Sequence, residues 1–407
     1  MGVLIHWVWL AQLPGISNHR KQYFLDCMGS AESVYEADRR QLGRIDGLTA
    51  EEYTKLSNKD LTAVRKILSD CMEKGIGILT QNDSAYPRAL TTIGDVPAVL
   101  YTKGTVPSFE CAPGIGLVGT RNASGHGLRM ARKLGREIAA CGGIVVSGGA
   151  KGIDGEGLWG AIDVDKPCVA VLAGGVDITY PKTNQPLFDA ILAKGCLISE
   201  YPPGTPHMRW NFLQRNRIIS GISSAVVVVE APERSGALNT ANWAFEQSRD
   251  VYCVPGNAEN ADCAGSNALL KDGARAVSAG WDVMEEFAAI YPDAVCRTKV
   301  CLPEVFPTEP EPEKPKKKTP VNTEKPKSDK KAIDNEEKST YSVLNDPYSQ
   351  LNEQERLVAD LLTKEPRHLD ELVEASGLPA AKLLVCITGL VMKGIAKNHP
   401  GRRVSRK

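Results

Sequence analysis

The stretch GIGLVGTRNASG, residues 114–125, decides the architecture. It opens as an apolar run, breaks at Gly119 into a polar turn, and leads into the amphipathic segment LRMARKLGREIAACGG. An apolar run without alternation suits a strand covered on both faces, and the helical period that follows supplies one of the covers. The same grammar returns at IVVSGG, CVAVLAGG, CLISE, AVVVVEA and VYCVPG. Strands alternating with helical segments imply parallel strands joined by helical crossovers, an α/β class with a Rossmann-like doubly wound parallel sheet. Such sheets bind ligands beyond the carboxyl ends of their strands, so the turns there carry the candidate site.

Gly114, Gly116 and Gly119 match GxGxxG, but they lie within or before the strand. The dinucleotide fingerprint needs its glycines in the turn between strand and helix, and the match is discounted. No GxxxxGK[ST] stretch occurs either, which disfavours ATP hydrolysis. In the turn itself, Gly119, Thr120 and Arg121 precede a helix whose dipole and free N–H groups favour an anion by about 0.3–1 kcal/mol per charge. Arg121 can grip a phosphate through two donors, or else neutralise a neighbouring carboxylate. A second turn repeats the device with Gly148, Gly149 and Lys151. Asp154 beyond it either caps the next helix or holds a ribose hydroxyl.

Ahead of AVVVVEA stands NFLQRNRIISGIS, residues 211–223. As a helix over 209–223, it places Phe212, Arg215, Asn216 and Ile219 on one face, with Arg217 pointing elsewhere. One arginine then looks into the crevice while the other ties the helix down. Arg209 and Phe212, three apart, set a cation beside a ring. That pairing suits single-stranded nucleic acid, where stacking contributes about 1–3 kcal/mol per base. A buried Phe212 with Arg209 in a surface ion pair is the alternative.

At 407 residues the chain suggests two or three domains. Lys plus Arg equals Asp plus Glu, 49 against 49, so any polyanion binding must be local. Eleven cysteines without a CxxC pair point to reduced thiols and no metal site. The opening apolar segment is too short to span a membrane and reads as a buried helix. Residues 1–105 read as an N-terminal helical domain, of SAM or helix-hairpin-helix type, with a lead-in. The turn LPGIS there either holds a DNA phosphate or simply joins two packed helices. The Rossmann-like domain follows over 106–290. Residues 291–347, rich in proline and charge, read as a disordered linker. Residues 348–407, three helices and a hairpin at HPG, read as a winged helix. Its recognition segment, 380–392, has Lys382 as its only cation, whereas Arg402, Arg403, Arg406 and Lys407 lie on the wing.

GLVGTRNASGHG, VVSGGAKGID, AVLAGGVDITYP, LISEYPPG, NFLQRNRIISGIS, VVVEAPERSGALNTA and VYCVPGN, in this order and spacing, resemble the DprA family of DNA-processing proteins, also called Smf. The resemblance implies a cytoplasmic, non-catalytic homodimer that binds and protects incoming single-stranded DNA in natural transformation and loads the RecA recombinase, without cofactor or metal. Carried over by motif, Arg121, Lys151 and Arg209 hold phosphates and Phe212 stacks a base. Ser235, Gly236 and Thr240 line the same pocket. Gly119, Thr120, Gly148, Gly149, Arg215, Asn216 and Arg217 complete the expected DNA-binding set. Where the family pattern has ARGID followed by Ala-His, this chain has AKGID and Leu158, which weakens one charged contact and argues against proton transfer. Ser220 and Asn239 also depart from it. The competing enzyme reading is a phosphoribohydrolase of the lysine-decarboxylase-like type, whose PGGxGTxxE signature is replaced here by APERSGALNTA. A regulator that reads DNA through the winged helix leaves the large central domain unexplained.

Overall fold

A computed structural model describes residues 2–298 and, further on, 353–363, 365, 367–376, 378, 382–383, 386–387, 390, 395–399 and 403–406. The expected linker lies outside the described residues from 299 onward. The chain divides into two units, 1–307 and 308–407.

The first unit begins with six helices: α1 (Gly2–Gln12), α2 (Asn18–Met28), α3 (Ala31–Glu36), α4 (Arg39–Leu42), α5 (Ala50–Ser57) and α6 (Thr62–Glu73). Local signals place them. Ser17, Ser30, Asp38 and Thr49 each cap a helix with a side-chain oxygen, and Asp38 and Thr49 close reciprocal capping boxes with Gln41 and Glu52. The LPGIS segment is the turn between α1 and α2. Gly15 there has a φ of +64°, and a Cβ on it would stand 2.9 Å from Lys55 Nζ, itself paired with Glu51.

Nine strands form one sheet: β1 (Gly77–Thr80), β2 (Val99–Gly104), β3 (Gly114–Val118), β4 (Ile144–Ser147), β5 (Cys168–Leu172), β6 (Cys196–Ser199), β7 (Ala225–Val228), β8 (Asp250–Cys253) and β9 (Arg275–Ala276). Their order is β1-β2-β6-β5-β4-β3-β7-β8-β9, parallel from β6 to β9. The sheet crosses the boundary expected near residue 105. GIGILT and DVPAVLYTKG, read as a lead-in, supply β1 and β2, which extend the sheet antiparallel beyond β6.

Helices α7 (Gly125–Ala140), α8 (Ile153–Asp163), α9 (Gln185–Leu192), α10 (Arg209–Ile222), α11 (Gly236–Glu246), α12 (Ala264–Lys271) and α13 (Gly280–Met284) accompany the strands. The buried strands β3 to β7 are apolar throughout except at Ser147 and Ser199, as two covered faces require. Leu158, at the position of the family's histidine, is fully buried in this core. Its departure from the family pattern therefore concerns packing and says nothing about proton transfer.

Strand order reverses between β3 and β7. From β3 the chain builds outward through β4, β5 and β6, then returns through α10 to lay β7 on the other side of β3. At such a switch point the loops leaving neighbouring strands diverge and open a crevice.

The second unit holds α14 (Glu353–Leu361), β10 (Arg367–His368), α15 (Leu369–Ser376), β11 (Ala396–His399) and β12 (Arg403–Arg406). The strands pair antiparallel in the order β10-β12-β11, and His399 opposite Arg403 closes the hairpin expected at HPG. In the expected recognition segment, Leu383, Cys386, Ile387 and Leu390 recur at helical spacing and are buried with Val358, Leu362 and Leu372. Of the expected wing cations, Arg402 and Lys407 lie outside the described residues.

Candidate nucleic-acid interface

The loops beyond β3 and β7 enclose a crevice of about 730 Å³. Gly119, Thr120 and Arg121 line it from the β3 side, and Arg234, Ser235, Gly236, Asn239 and Thr240 from the β7 side. Helix α10 forms its floor with Arg209, Phe212, Leu213, Arg215 and Asn216. The loops ahead of α9 and α10 add Tyr180 and His207. Four guanidinium groups thus meet one lining carboxylate, that of Asp154.

Arg215 is buried. Its Nη1 donates to the Gly148 carbonyl at 2.8 Å and to the Val171 carbonyl, and its Nε donates to Asn216 Oδ1 at 3.2 Å. Among the described residues no carboxylate reaches ion-pair distance. Burial pulls its pKa down to about 10, with Asp154 opposing the shift, so the group stays charged at neutral pH. Asp154 is pushed up by burial, against which stand Arg215 and the N–H groups of Ala150 and Gly119. Gly148 is a steric necessity: a Cβ there would stand 2.5 Å from Asp154 Oδ2 and 2.6 Å from both terminal nitrogens of Arg215.

Phe212 is half-buried. The Arg121 guanidinium sits 4.8 Å from its ring centroid and that of Arg215 at 5.9 Å, both within cation–π range. Tyr180 and His207 complete an aromatic wall, their rings stacked at 5.3 Å and lying 5.6 and 6.1 Å from Phe212. Neither nitrogen of His207 has a hydrogen-bond partner among the described residues, and burial, then Arg215, lowers its pKa.

Several expected positions are brought together and others are not. Arg121, Arg209 and Arg234 are exposed and form no ion pair among the described residues, although the Arg121 charge also favours the ionised Asp154 carboxylate. The N-terminus of α7, expected to hold an external anion, is answered from within. Glu230, nearly fully buried, accepts from the Ser124 N–H at 2.9 Å and from Ser124 Oγ at 2.6 Å, while Ser124 caps the helix. Of the expected anion-binding groups at this turn, the Arg121 guanidinium is the one left exposed to the crevice. Gly148 and Gly149 are buried behind the lining, and Lys151 is exposed but outside it.

Arg217 is a correction. It is 1% exposed and does not line the crevice. Its Nε donates to Asp95 at 2.7 Å, and its Nη2 donates to both oxygens of Glu200 at 2.8 Å. Burial alone would lower its pKa, but Glu200 and Asp95 outweigh it and the pKa is raised. Asn18 of α2 also donates to Glu200, at 2.6 Å. This arginine ties α10 to the lead-in and, through Glu200, to the N-terminal helices.

Tyr180, His207, Arg234 and Asn239 were missed as site residues. For Arg234 the signal was present, a cation immediately ahead of the SGALNTA turn. Asn239, noted without a role, accepts from Asn216 Nδ2 at 3.2 Å. Tyr180 and His207 come from loops 27 residues apart, and no local spacing announces their stacking. Glu233 of the APERSGALNTA turn is exposed and outside the lining, so that turn places no carboxylate in the crevice. Among the described residues no cluster of three or more side chains is arranged to hold a metal ion. No described helix is long and apolar enough to cross a membrane.

A family model described as DNA recombination-mediator protein A matches residues 77–288, and one for the DprA winged helix domain matches 344–402. Protein Smf of Synechocystis sp. is 34% identical over 289 residues, covering 70% of this chain and 73% of that one. DNA processing protein DprA of Bacillus subtilis is 39% identical over 221 residues, covering 54% of this chain and 74% of that one. The X-ray structure of DprA from Streptococcus pneumoniae superposes with a TM-score of 0.61 at 28% identity, covering 69% of this chain and 97% of that one. With the nine-stranded sheet and its crevice inside the matched segment, the chain belongs to the DNA recombination-mediator protein A family, the DprA or Smf proteins.

Proposed function

We propose that this protein binds single-stranded DNA in the crevice at the β3–β7 switch point, protects incoming strands in natural transformation, and helps load RecA onto them. It acts in the cytoplasm as a homodimer and without catalysis.

One observation carries the strand-binding reading: four guanidinium groups line an open crevice, two of them against its aromatic wall. Cations answer phosphates, and exposed ring faces answer bases of any identity, the combination that suits single strands. A duplex keeps its bases stacked on one another and offers Phe212 no face. The absence of a global charge excess makes the local one more telling, since attraction must originate at these loops. Asp154, the one lining carboxylate, is surrounded by Arg215, Arg121 and the backbone N–H groups of Ala150 and Gly119, which suits it to hold the loop and not to transfer protons. RecA loading, dimerisation and the transformation role rest on membership in a family described as recombination mediators.

The test is a fluorescence-anisotropy titration of a labelled poly-thymidine strand and its duplex at two salt concentrations. Preference for the single strand, weakening as salt rises, is expected, because each phosphate contact releases counterions. Absence of single-strand binding, or an affinity indifferent to salt, sinks the reading.

A further inference from the structure

The first turn of α10 leaves a large aromatic side chain in water. Trp210 is 66% exposed, Met208 just before it is 59% exposed, and Leu213 one turn on is 41% exposed. Trp7 and Trp9, by contrast, are each 3% exposed. An exposed tryptophan leaves unused the apolar burial that makes this residue valuable, and an apolar patch of this kind marks a contact surface.

Its position argues for what covers it. At about 100° per residue, Leu213 lies between Phe212 and Trp210 around the helix. Leu213 also lines the crevice while remaining exposed, and Trp210 stands three residues before it, so an apolar ridge leads from the crevice rim at Leu213 around the helix to the Trp210 indole, about 160° from Phe212. Arg209, beside Trp210 in the chain, lines the crevice at the same end of the helix. An apolar protein partner would match the ridge and leave the guanidinium groups unanswered. A strand with anionic backbone and aromatic bases answers both.

We propose that Trp210 is a second stacking platform, taking the base of a nucleotide outside the crevice while Phe212 holds one within. This rests on the strand-binding function proposed above and extends its footprint around the first turn of α10. The crevice then anchors one end of a track that continues over the surface, and affinity grows with strand length beyond what the crevice can hold.

The experiment compares the full chain with Trp210→Ala, Trp210→Phe and Phe212→Ala, titrating thymidine oligonucleotides from a dinucleotide to a 20-mer by anisotropy and competition. Trp210→Ala is expected to weaken the 20-mer about tenfold, as loss of one stacked base predicts, while leaving the dinucleotide and the salt slope unchanged. Trp210→Phe should recover most of the loss, and Phe212→Ala should weaken both lengths. Unaltered thermal melting of Trp210→Ala, expected of so exposed a residue, separates these effects from misfolding. If wild type and Trp210→Ala bind the 20-mer equally, the second platform is wrong and the crevice function stands. Equal weakening of both lengths overturns it too, by placing Trp210 within the crevice site. So does a self-association of wild type that Trp210→Ala abolishes without altering strand affinity. Failure of wild type to bind any single strand removes both proposals together.

Discussion

Arg215 and Arg217 stand two residues apart on one helix, both buried, and their surroundings make them opposites. Arg215 is held by two backbone carbonyls with no carboxylate of the described residues at ion-pair distance, so its charge is left to act on the crevice. Arg217 meets Asp95 and Glu200, and the Lys21 ammonium nearby completes a neutral set. Carbonyls accept from a guanidinium without cancelling its charge, whereas carboxylates accept and cancel it. The same residue type thus leaves its charge uncancelled at the crevice on one face of α10 and serves as a bolt on the other.

The comparison breaks first at the bolt. Arg217→Met should cost about 3–5 kcal/mol in denaturant unfolding, because Asp95 and Glu200 lose the guanidinium between them and only Lys21 remains to balance two carboxylates. Strand affinity per folded molecule should stay the same. A large loss of affinity with unchanged stability would reverse the assigned roles.

On the crevice face the effects should fall on binding. Phe212→Ala is expected to cost about 1–3 kcal/mol of single-strand affinity with no change in salt slope, measured by anisotropy across a salt series. Arg121→Ala should weaken all sequences alike and lower the salt slope by about one, the signature of a lost phosphate contact. An Arg121 variant with the wild-type slope would mean that this guanidinium supports only the Phe212 ring.

The smallest effect sharpens the contrast through pH. His207 has its pKa held below the ordinary imidazole value by burial and by Arg215, so it is neutral at pH 7. Its contribution to folding is fully present above the unfolded value near 6.5 and is lost as pH falls through the lower folded value. A phosphate in the crevice favours the protonated ring, so strand affinity should rise modestly between pH 7 and 5. His207→Gln should flatten that rise in anisotropy measured over the same range.

Much of this was legible in the chain. Apolar runs without alternation, each followed by a glycine turn, placed the strands, and three-and-four spacing placed Phe212, Arg215 and Asn216 on one face of a helix that forms over the expected span. The division of labour between the two arginines was also foreseen, although Arg217 was still counted among the DNA contacts. Its partners explain the error. Asp95 lies 122 residues before it, and no local pattern marks which distant carboxylate will meet a guanidinium. The same holds for Glu230, which reaches back 106 residues to the turn at Ser124 and takes the helix end that an external anion was expected to fill.

By itself the sequence determined what short-range physics can specify: strand and helix periods, the helix caps, the turn glycines, and the set of cations and rings available to the crevice. The tertiary structure decided which of those charges remain available. That choice depends on whether folding brings a carbonyl or a carboxylate to each guanidinium, and the groups that answer Arg215, Arg217 and Ser124 come from strands and loops far away in the chain.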